Sequence, residues 1–237
     1  MSAADIELWI HARPDRTLSI SQRHADVMDR MSRIGAPLGF AGLELPDTPD
    51  CGDGLVATYT VKLPIRGLRF VGDYAYRGDR YVYEDMASYD EHLRFGFKIS
   101  NKAINYAVVL NECFPNVVEA FRGYKAHVSY DLYGLYYQGG LNDDNSIYNG
   151  LREDKTVDID GRNNIYTLYP AQFWDATLCQ RALGYGPDEV IARLQGMCRM
   201  AVRLMDGVYL VLNDDPNMSY ENFLEMNEQF KPILGLV

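Results

Sequence analysis

The stretch MAVRLMDGVYLVL, residues 200–212, carries the clearest local signal in this chain. Apolar residues alternate with Ala201 and Arg203 before the pair Asp206-Gly207, and a second apolar run follows that pair. An Asp-Gly pair between two apolar runs is a strong signature of a two-residue β-hairpin. The stretch therefore predicts two neighbouring antiparallel strands, and a fold whose sheet is at least partly antiparallel.

The beginning of the chain predicts a strand followed by a helix. Apolar and polar or aromatic residues alternate over residues 6–10, which is the period of two of a half-buried strand. Ser19 or Ser21 can then cap a helix with an apolar stripe, because serine side chains accept hydrogen bonds from the first free backbone N–H groups. Glycine and proline within residues 35–37 end this helix.

The remaining segments mix both kinds of element. Aromatic and β-branched residues predict strands over Tyr124–Tyr137 and Ile165–Tyr169. Apolar periodicity predicts helices over residues 171–183 and Tyr220–Phe230, the second ended by Pro232. Helix and strand interpretations compete over residues 95–122. This interleaved order predicts one α+β domain over residues 1–237, with a mostly antiparallel sheet and flanking helices.

The composition is that of a folded protein with a strong acidic balance. Hydrophobic residues make up 47% of the 237 residues, and 33 acidic against 23 basic residues give a net charge of −10. We expect no nucleic-acid partner and no membrane partner, because both interactions normally need a basic surface. No run of apolar residues is long enough for a membrane helix. The first residues show no secretory signal, so we expect a cytoplasmic protein.

The chain shows no recognisable motif for catalysis. It lacks HExxH, a P-loop, GxGxxG and GxSxG, and its cysteines include no CxxC pair. We therefore expect no enzyme activity, no catalytic residues, no metal site and no cofactor. One alternative stays open: Glu153-Asp154-Lys155 together with Pro49-Asp50 loosely matches the acids and lysine of a metal-dependent hydrolase with dispersed carboxylates.

Two acidic loops and a run of tyrosines are the candidate partner-binding features. The sequence Leu-Asn-Asp-Asp occurs twice, and adjacent acids on loop tips can speed the capture of a basic partner. Tyrosine accounts for 18 residues, and tyrosine is enriched in protein interfaces. A shared turn geometry for the acids and core packing for most tyrosines remain alternatives. The predicted docking residues are Asp143, Asp144, Asp214, Asp215, Tyr136 and Tyr137.

Two segments resemble a known class of proteins. The segment Trp9-Ile10-His11-Ala12-Arg13-Pro14, followed by a serine-initiated helix, resembles the opening of immunity proteins from bacterial polymorphic toxin and type VI secretion systems. The family it resembles is paired with restriction-endonuclease-like nuclease toxins. The segment from Asp206 to Pro216 is also similar to such proteins.

The resemblance implies a stoichiometric inhibitor. Such an antitoxin binds a cognate toxin tightly and blocks its active site or its nucleic-acid surface. The acidic balance fits a toxin with a basic face, for which the four aspartates would stand in for phosphate and the two tyrosines would act as anchors. Besides the hydrolase, a structural subunit of a phage or secretion apparatus is an alternative. The sequence does not determine the oligomeric state or the toxin.

Overall fold

The computed structural model describes residues 5–15, 17–50, 56–75, 86–139 and 146–236. The described residues form an α+β fold with an antiparallel sheet, which confirms the predicted fold class. The chain divides into two compact units, residues 1–126 and residues 127–237. No helix among the described residues is long and apolar enough to cross a bilayer.

The described part of the first unit combines four antiparallel strands with helices. Its strands lie in the order β2 (Val56–Tyr59), β3 (Arg69–Ala75), β4 (Glu91–Lys98) and β1 (Asp5–Ala12), and each neighbouring pair is antiparallel. A 3-10 turn at Ala87–Tyr89 precedes β4, and a π-helical turn at Val109–Cys113 joins the last two helices. The elements are β1 (Asp5–Ala12), α1 (Ile20–Met31), β2 (Val56–Tyr59), β3 (Arg69–Ala75), β4 (Glu91–Lys98), α2 (Tyr106–Val108) and α3 (Phe114–Phe121).

The opening strand and helix follow their sequence pattern. β1 alternates half-buried and buried residues along its whole length, so Leu8 is fully buried while its neighbours are not. Ser19 caps α1: its side chain accepts from the Gln22 backbone N–H, and the Gln22 side chain accepts from the Ser19 N–H. This reciprocal capping box satisfies two backbone donors that the first helical turn leaves free. Both predictions are confirmed.

The second unit contains the β-hairpin that the sequence predicts. β5 (Lys125–Tyr130) begins in the first unit and continues into the second. β8 (Gly207–Val211) pairs antiparallel with both β6 (Ala171–Trp174) and β7 (Met200–Leu204). The further elements are α4 (Tyr133–Tyr137), α5 (Ser146–Glu153), β6 (Ala171–Trp174), α6 (Ala176–Leu183), α7 (Pro187–Leu194), β7 (Met200–Leu204), β8 (Gly207–Val211) and α8 (Tyr220–Leu234).

The predicted hairpin is confirmed, but its turn lies one residue earlier than the Asp-Gly pair indicates. Leu204 pairs with Gly207, so Met205 and Asp206 form the two-residue loop, and Met205 takes the positive φ of 49°. Gly207 is needed for another reason. A Cβ atom there would lie 2.1 Å from the backbone oxygen of Trp174, so only glycine allows this approach between the strands.

Three predicted segments differ in the structure. The strand predicted over Tyr124–Tyr137 ends at Tyr130, and residues 165–169 form no strand. The helix predicted from residue 171 begins only at Ala176, since β6 precedes it and the Asp175 side chain caps it. All four residues of β6 are buried. A fully buried strand has no polar alternation, so periodicity alone does not separate it from a buried helix.

Helices replace or extend two further predictions. Strand and helix interpretations both remained open for residues 95–122. In the structure β4 ends at Lys98 and residues 106–121 are helical, so the helix interpretation is correct for that second part. α8 continues through Pro232 to Leu234 and ends at Gly235, which has a φ of 74°. A proline near a helix end removes one backbone hydrogen bond without stopping the turn that follows. Burial of Leu234 favours that last turn.

Candidate functional site

The structure places four of the six predicted docking residues. Tyr136 and Tyr137 lie on α4, and Asp214 and Asp215 lie in the turn that follows β8. The surface is therefore built from these four residues and their neighbours. The two that lie outside the described residues are Asp143 and Asp144.

The short helix α4 turns apolar side chains outward. Leu132, just before the helix, is 52% exposed, and Leu135 and Tyr136 are each 50% exposed. Their spacing of three and four residues places them on one side of a helical turn. On another side Gly134 is buried, and a Cβ there would lie 2.7 Å from the Tyr169 hydroxyl. We call Leu132, Leu135 and Tyr136 the α4 surface.

Aromatic packing holds α4 in place. The ring of Tyr133 lies 5.3 Å from that of Tyr220 and 5.7 Å from that of Phe223, measured between centroids. The ring of Tyr137 lies 5.4 Å from that of Tyr166. Aromatic pairs at such distances contribute about 0.5–1.5 kcal/mol each beyond their buried area. A helix of only five residues is therefore fixed by tertiary contacts and not by its own hydrogen bonds.

Two tyrosine hydroxyls, one at the end of β5 and one on α4, donate hydrogen bonds to the acidic turn, which we define as residues 213–219. The Tyr130 hydroxyl donates to the backbone oxygen of Asp215 at 2.9 Å. The Tyr133 hydroxyl donates to the backbone oxygen of Met218 at 3.1 Å. The structure thus brings the predicted tyrosine segment and the second predicted acidic loop together, through two tyrosines that were not among the predicted docking residues.

The two acids of the turn have different partners. The Asp214 carboxylate lies 3.0 Å from Nε of Arg199, so part of its charge is matched. The Asp215 carboxylate accepts from the backbone N–H of Asn217 at 2.8 Å and supports the turn itself. Both side chains are exposed. The turn remains acidic, but Arg199 reduces the negative charge that its sequence alone indicates.

Tyr136 and Tyr137 also differ. The Lys231 ammonium lies 4.9 Å from the ring centre of Tyr137 and 4.1 Å from that of Tyr166, which is a favourable cation–π geometry. Burial raises the pKa of Tyr137 well above its usual value, and burial lowers the pKa of Lys231 to about 8. Tyr137 thus serves internal packing, whereas Tyr136 offers an exposed ring to a partner.

Leu132 and Leu135 are the residues of this surface that the sequence interpretation missed. Their segment was predicted to be a strand, in which neighbouring residues point to opposite faces. The spacing of Leu132, Leu135 and Tyr136 matches one face of a helix, and that pattern is visible in the sequence. The signal was present, but the dense tyrosines gave the strand interpretation more weight.

The hairpin carries a second exposed apolar region. Val202 on β7 is 44% exposed, and Met197 and Met205 beside the strand are 47% and 38% exposed. Within the described residues β7 pairs only with β8, so it is an edge strand. Edge strands offer backbone groups to other chains. This region is less aromatic than the α4 surface, and it is joined to the acidic turn through Arg199, which lies beside β7 and pairs with Asp214.

Two histidines that lie far apart in the sequence meet on neighbouring strands. His11 pairs with His92 across β1 and β4, with ring centroids 6.1 Å apart. Nε2 of His92 lies 2.8 Å from the Asp73 carboxylate, and Nδ1 of His11 lies 4.0 Å from the Asp90 carboxylate. Among the described residues, no group of three or more His, Cys, Asp or Glu side chains is arranged to hold a metal ion.

The comparisons with known proteins find a likeness of fold. No family model matches the sequence, and no curated protein matches it. A solved structure, the Pseudomonas aeruginosa T6SS protein PA0821, is similar over 98% of this chain and 73% of its own, with a TM-score of 0.50 and 13% sequence identity. At this identity the likeness shows a shared fold and assigns no residue a role.

Proposed function

We propose that this chain is a cytoplasmic immunity protein that binds and neutralises a cognate secreted toxin of the nuclease type through protein–protein contact. The observation that carries the proposal is the α4 surface, where Leu132, Leu135 and Tyr136 are each about half exposed on one helical turn. Clustered exposed apolar side chains next to polar groups are typical of protein-binding sites. The acidic turn lies beside them through the Tyr130 and Tyr133 hydrogen bonds.

The electrostatics of the chain support a basic partner. The net charge is −10, and Asp214 and Asp215 are exposed in the turn that is connected to the α4 surface. Complementary charge raises the association rate and selects among partners. A nuclease toxin needs a basic face for its nucleic acid, so an acidic inhibitor can compete for that face. In this proposal Tyr136 is the aromatic anchor and the two acids steer the approach.

Two independent observations support a link to type VI secretion. The sequence resembles immunity proteins at its first strand and helix, and the fold is similar to that of a Pseudomonas aeruginosa T6SS protein. The first comes from local sequence and the second from the course of the backbone. We propose that the chain works in such a system, in the cell that produces the toxin.

Co-expression with the protein encoded beside it tests the proposal. We expect the neighbour to be toxic alone and harmless when this chain is present, and the two proteins to purify as a stable complex. A harmless neighbour that forms no complex would contradict the proposal. A stable homo-oligomer without external partner would favour a structural subunit, and hydrolysis of a generic phosphodiester would favour the hydrolase.

Variants of the α4 surface test the location of the interface. Leu135→Glu places a charge in the centre of the apolar surface, and we expect toxin affinity to fall at least about tenfold. Leu45→Glu is the matched control, because Leu45 is an exposed leucine of the other unit, at 39% exposure. Equal affinities for both variants would exclude the α4 surface. Circular dichroism would establish that both are folded.

The acidic turn is tested by the salt dependence of binding. Asp214→Asn combined with Asp215→Asn keeps the acceptor oxygen for the Asn217 N–H while removing both charges. We expect a lower association rate and a shallower dependence on salt, since exposed charges act mainly through steering. Asp47→Asn, an exposed acid of the other unit, is the control. An unchanged salt dependence would remove the acids from the interface.

A further inference from the structure

Among the described residues, four arginines surround one cavity in the first unit: two on α1, one in the loop after β1 and one at the end of α3. The cavity lies where β1, α1, β4 and α3 approach one another, and its volume is about 70 Å³. A single water molecule occupies only about 10–15 Å³ of volume measured in this way, so the cavity can hold a group larger than one water. The charged residues that line it are Arg13, Arg23, Arg30, Arg122, Asp15, Asp26 and Glu91.

The ion pairs inside the cavity leave donors without acceptors. Arg23 donates to the buried Glu91 through one terminal nitrogen, and Arg30 donates to the Asp26 carboxylate at 2.6 Å through Nη2. Nε of Arg23 and Nη1 of Arg30 are buried, and neither has a hydrogen-bond partner among the described residues. Burying an N–H of a charged group without an acceptor is costly. The cavity therefore favours an additional acceptor.

The charges around the cavity favour an anion. Arg122 approaches the same Asp26 carboxylate at 3.7 Å, so two guanidinium groups share one acid. Burial and then the charge of Arg122 lower the pKa of Arg30. Four arginines line the cavity against three acidic residues, an excess of positive charge in a chain of net charge −10. Like charges crowded in this way repel one another unless an anion lies between them.

The backbone conformation of Arg122, at the rim of the cavity, is also typical of a ligand site. Arg122 ends α3 in the left-handed conformation, with a φ of 54° and ψ of 43°. This helix-end position usually holds glycine, or sometimes asparagine, because other side chains are strained there. A strained arginine at the edge of a charged cavity is the kind of outlier that clusters at ligand sites.

We propose that this cavity binds a small oxyanion of the phosphate class. Guanidinium groups hold phosphate and carboxylate oxygens through paired N–H donors. A tetrahedral anion has oxygens in several directions and suits arginines that arrive from separate parts of the fold, whereas a carboxylate offers two oxygens in one plane. The site is independent of the α4 surface, and it makes no use of the proposed toxin binding.

Titration of the full chain with inorganic phosphate at constant ionic strength tests the site. Calorimetry should show one saturable site, with a dissociation constant at or below about 10 mM. Chloride should not compete, and acetate should bind more weakly than phosphate. No saturable binding, or acetate bound more tightly than phosphate, would overturn the proposal. Methyl phosphate identifies the source: equal affinity indicates a phosphoryl group carried on a larger molecule, and rejection indicates the free ion.

Arg30, on α1, and Arg33, two residues beyond the end of α1, provide matched variants. Arg30 pairs with Asp26 and lines the cavity, while Arg33 pairs with Asp29 and is 70% exposed. Arg30→Gln should weaken phosphate binding about ten- to hundredfold, and Arg33→Gln should leave it unchanged. Retained binding in Arg30→Gln, or equal losses in both variants, would contradict the site.

A second variant keeps the test decisive if Arg30→Gln fails to fold. Arg122 is largely exposed, with 67% of its side chain accessible, so Arg122→Gln should preserve the fold. We expect at least a severalfold loss of phosphate affinity, because one of the four cations is removed. Unchanged affinity in a folded Arg122→Gln would exclude the proposed arrangement.

Discussion

The α4 surface and the arginine cavity show two opposite uses of side chains in one acidic protein. The second unit exposes apolar groups that would normally be buried, namely Leu132, Leu135 and Tyr136. The first unit buries charges that would normally be exposed: the side chains of Arg23 and Glu91 are only 11% and 6% exposed. An exposed apolar surface of this size is covered only by a partner of protein size, whereas a buried charge is matched by a neighbouring opposite charge or by a small ion.

The largest expected effect on stability comes from breaking the buried ion pair of Arg23 and Glu91. Glu91→Ala leaves Arg23 without its carboxylate in a buried site, and we expect the free energy of unfolding to fall by about 3–5 kcal/mol. Urea denaturation measures this. Glu189→Ala is the control, because the Glu189–Arg193 pair is exposed and should change stability by less than about 1 kcal/mol. Equal losses would mean that the buried pair contributes no more than an exposed one.

The pH dependence of stability is the second test of the buried charges. Burial raises the pKa of Glu91 to about 7, against the opposing charge of Arg23. A carboxyl whose pKa is raised on folding binds more protons in the folded state. Its stabilising effect is thus complete below pH 4.5, its ordinary pKa, and is lost as the pH rises to about 7.

The variant Glu91→Gln isolates this effect. The wild-type free energy of unfolding should decline between pH 4.5 and 7 by up to about 3 kcal/mol more than that of the variant. Denaturation curves of both proteins across this range measure the difference. Parallel pH profiles would show that Glu91 titrates alike in the folded and unfolded states, and that its burial has no electrostatic consequence.

Breaking the hydrogen bond between α4 and the acidic turn should have an intermediate effect on stability. Tyr133→Phe removes the hydrogen bond to the Met218 oxygen, and we expect a loss of stability of about 0.5–1.5 kcal/mol. Tyr136→Phe removes a hydroxyl from a half-exposed ring and should cost less. If Tyr133 positions the acidic turn, its variant also slows association with the proposed toxin. A slower association in Tyr136→Phe alone would reverse these roles.

The smallest expected effect on stability concerns Arg199. Its pair with Asp214 is exposed, with side-chain exposures of 70% and 53%, so Arg199→Gln should change stability by less than about 1 kcal/mol. The variant frees the Asp214 charge and should raise the association rate with the proposed basic toxin, with a steeper dependence on salt. Stopped-flow measurements at several salt concentrations check this. A slower association would mean that Arg199 itself contacts the toxin.

Local patterns in the sequence predicted part of the fold correctly. β1, α1 with its Ser19 cap, and the hairpin of β7 and β8 were predicted because each depends on neighbouring residues: alternation, capping and turn chemistry. β6 and α4 were not, because burial by other segments decides their form. The same holds for the site: the tyrosines and acids were visible, while the exposed leucines of α4 were not recognised.

The α+β class, the acidic charge and the hairpin were predictable from the sequence, since composition and short-range periodicity are properties of the chain alone. Which tyrosine is exposed and which charges are buried depends on packing between segments that are distant in the sequence. The arginine cavity depends on residues 13, 23, 30, 91 and 122, which no local pattern connects. Exposure and distance between such residues are set by packing, and packing decides whether a charge meets water, a partner or another charge.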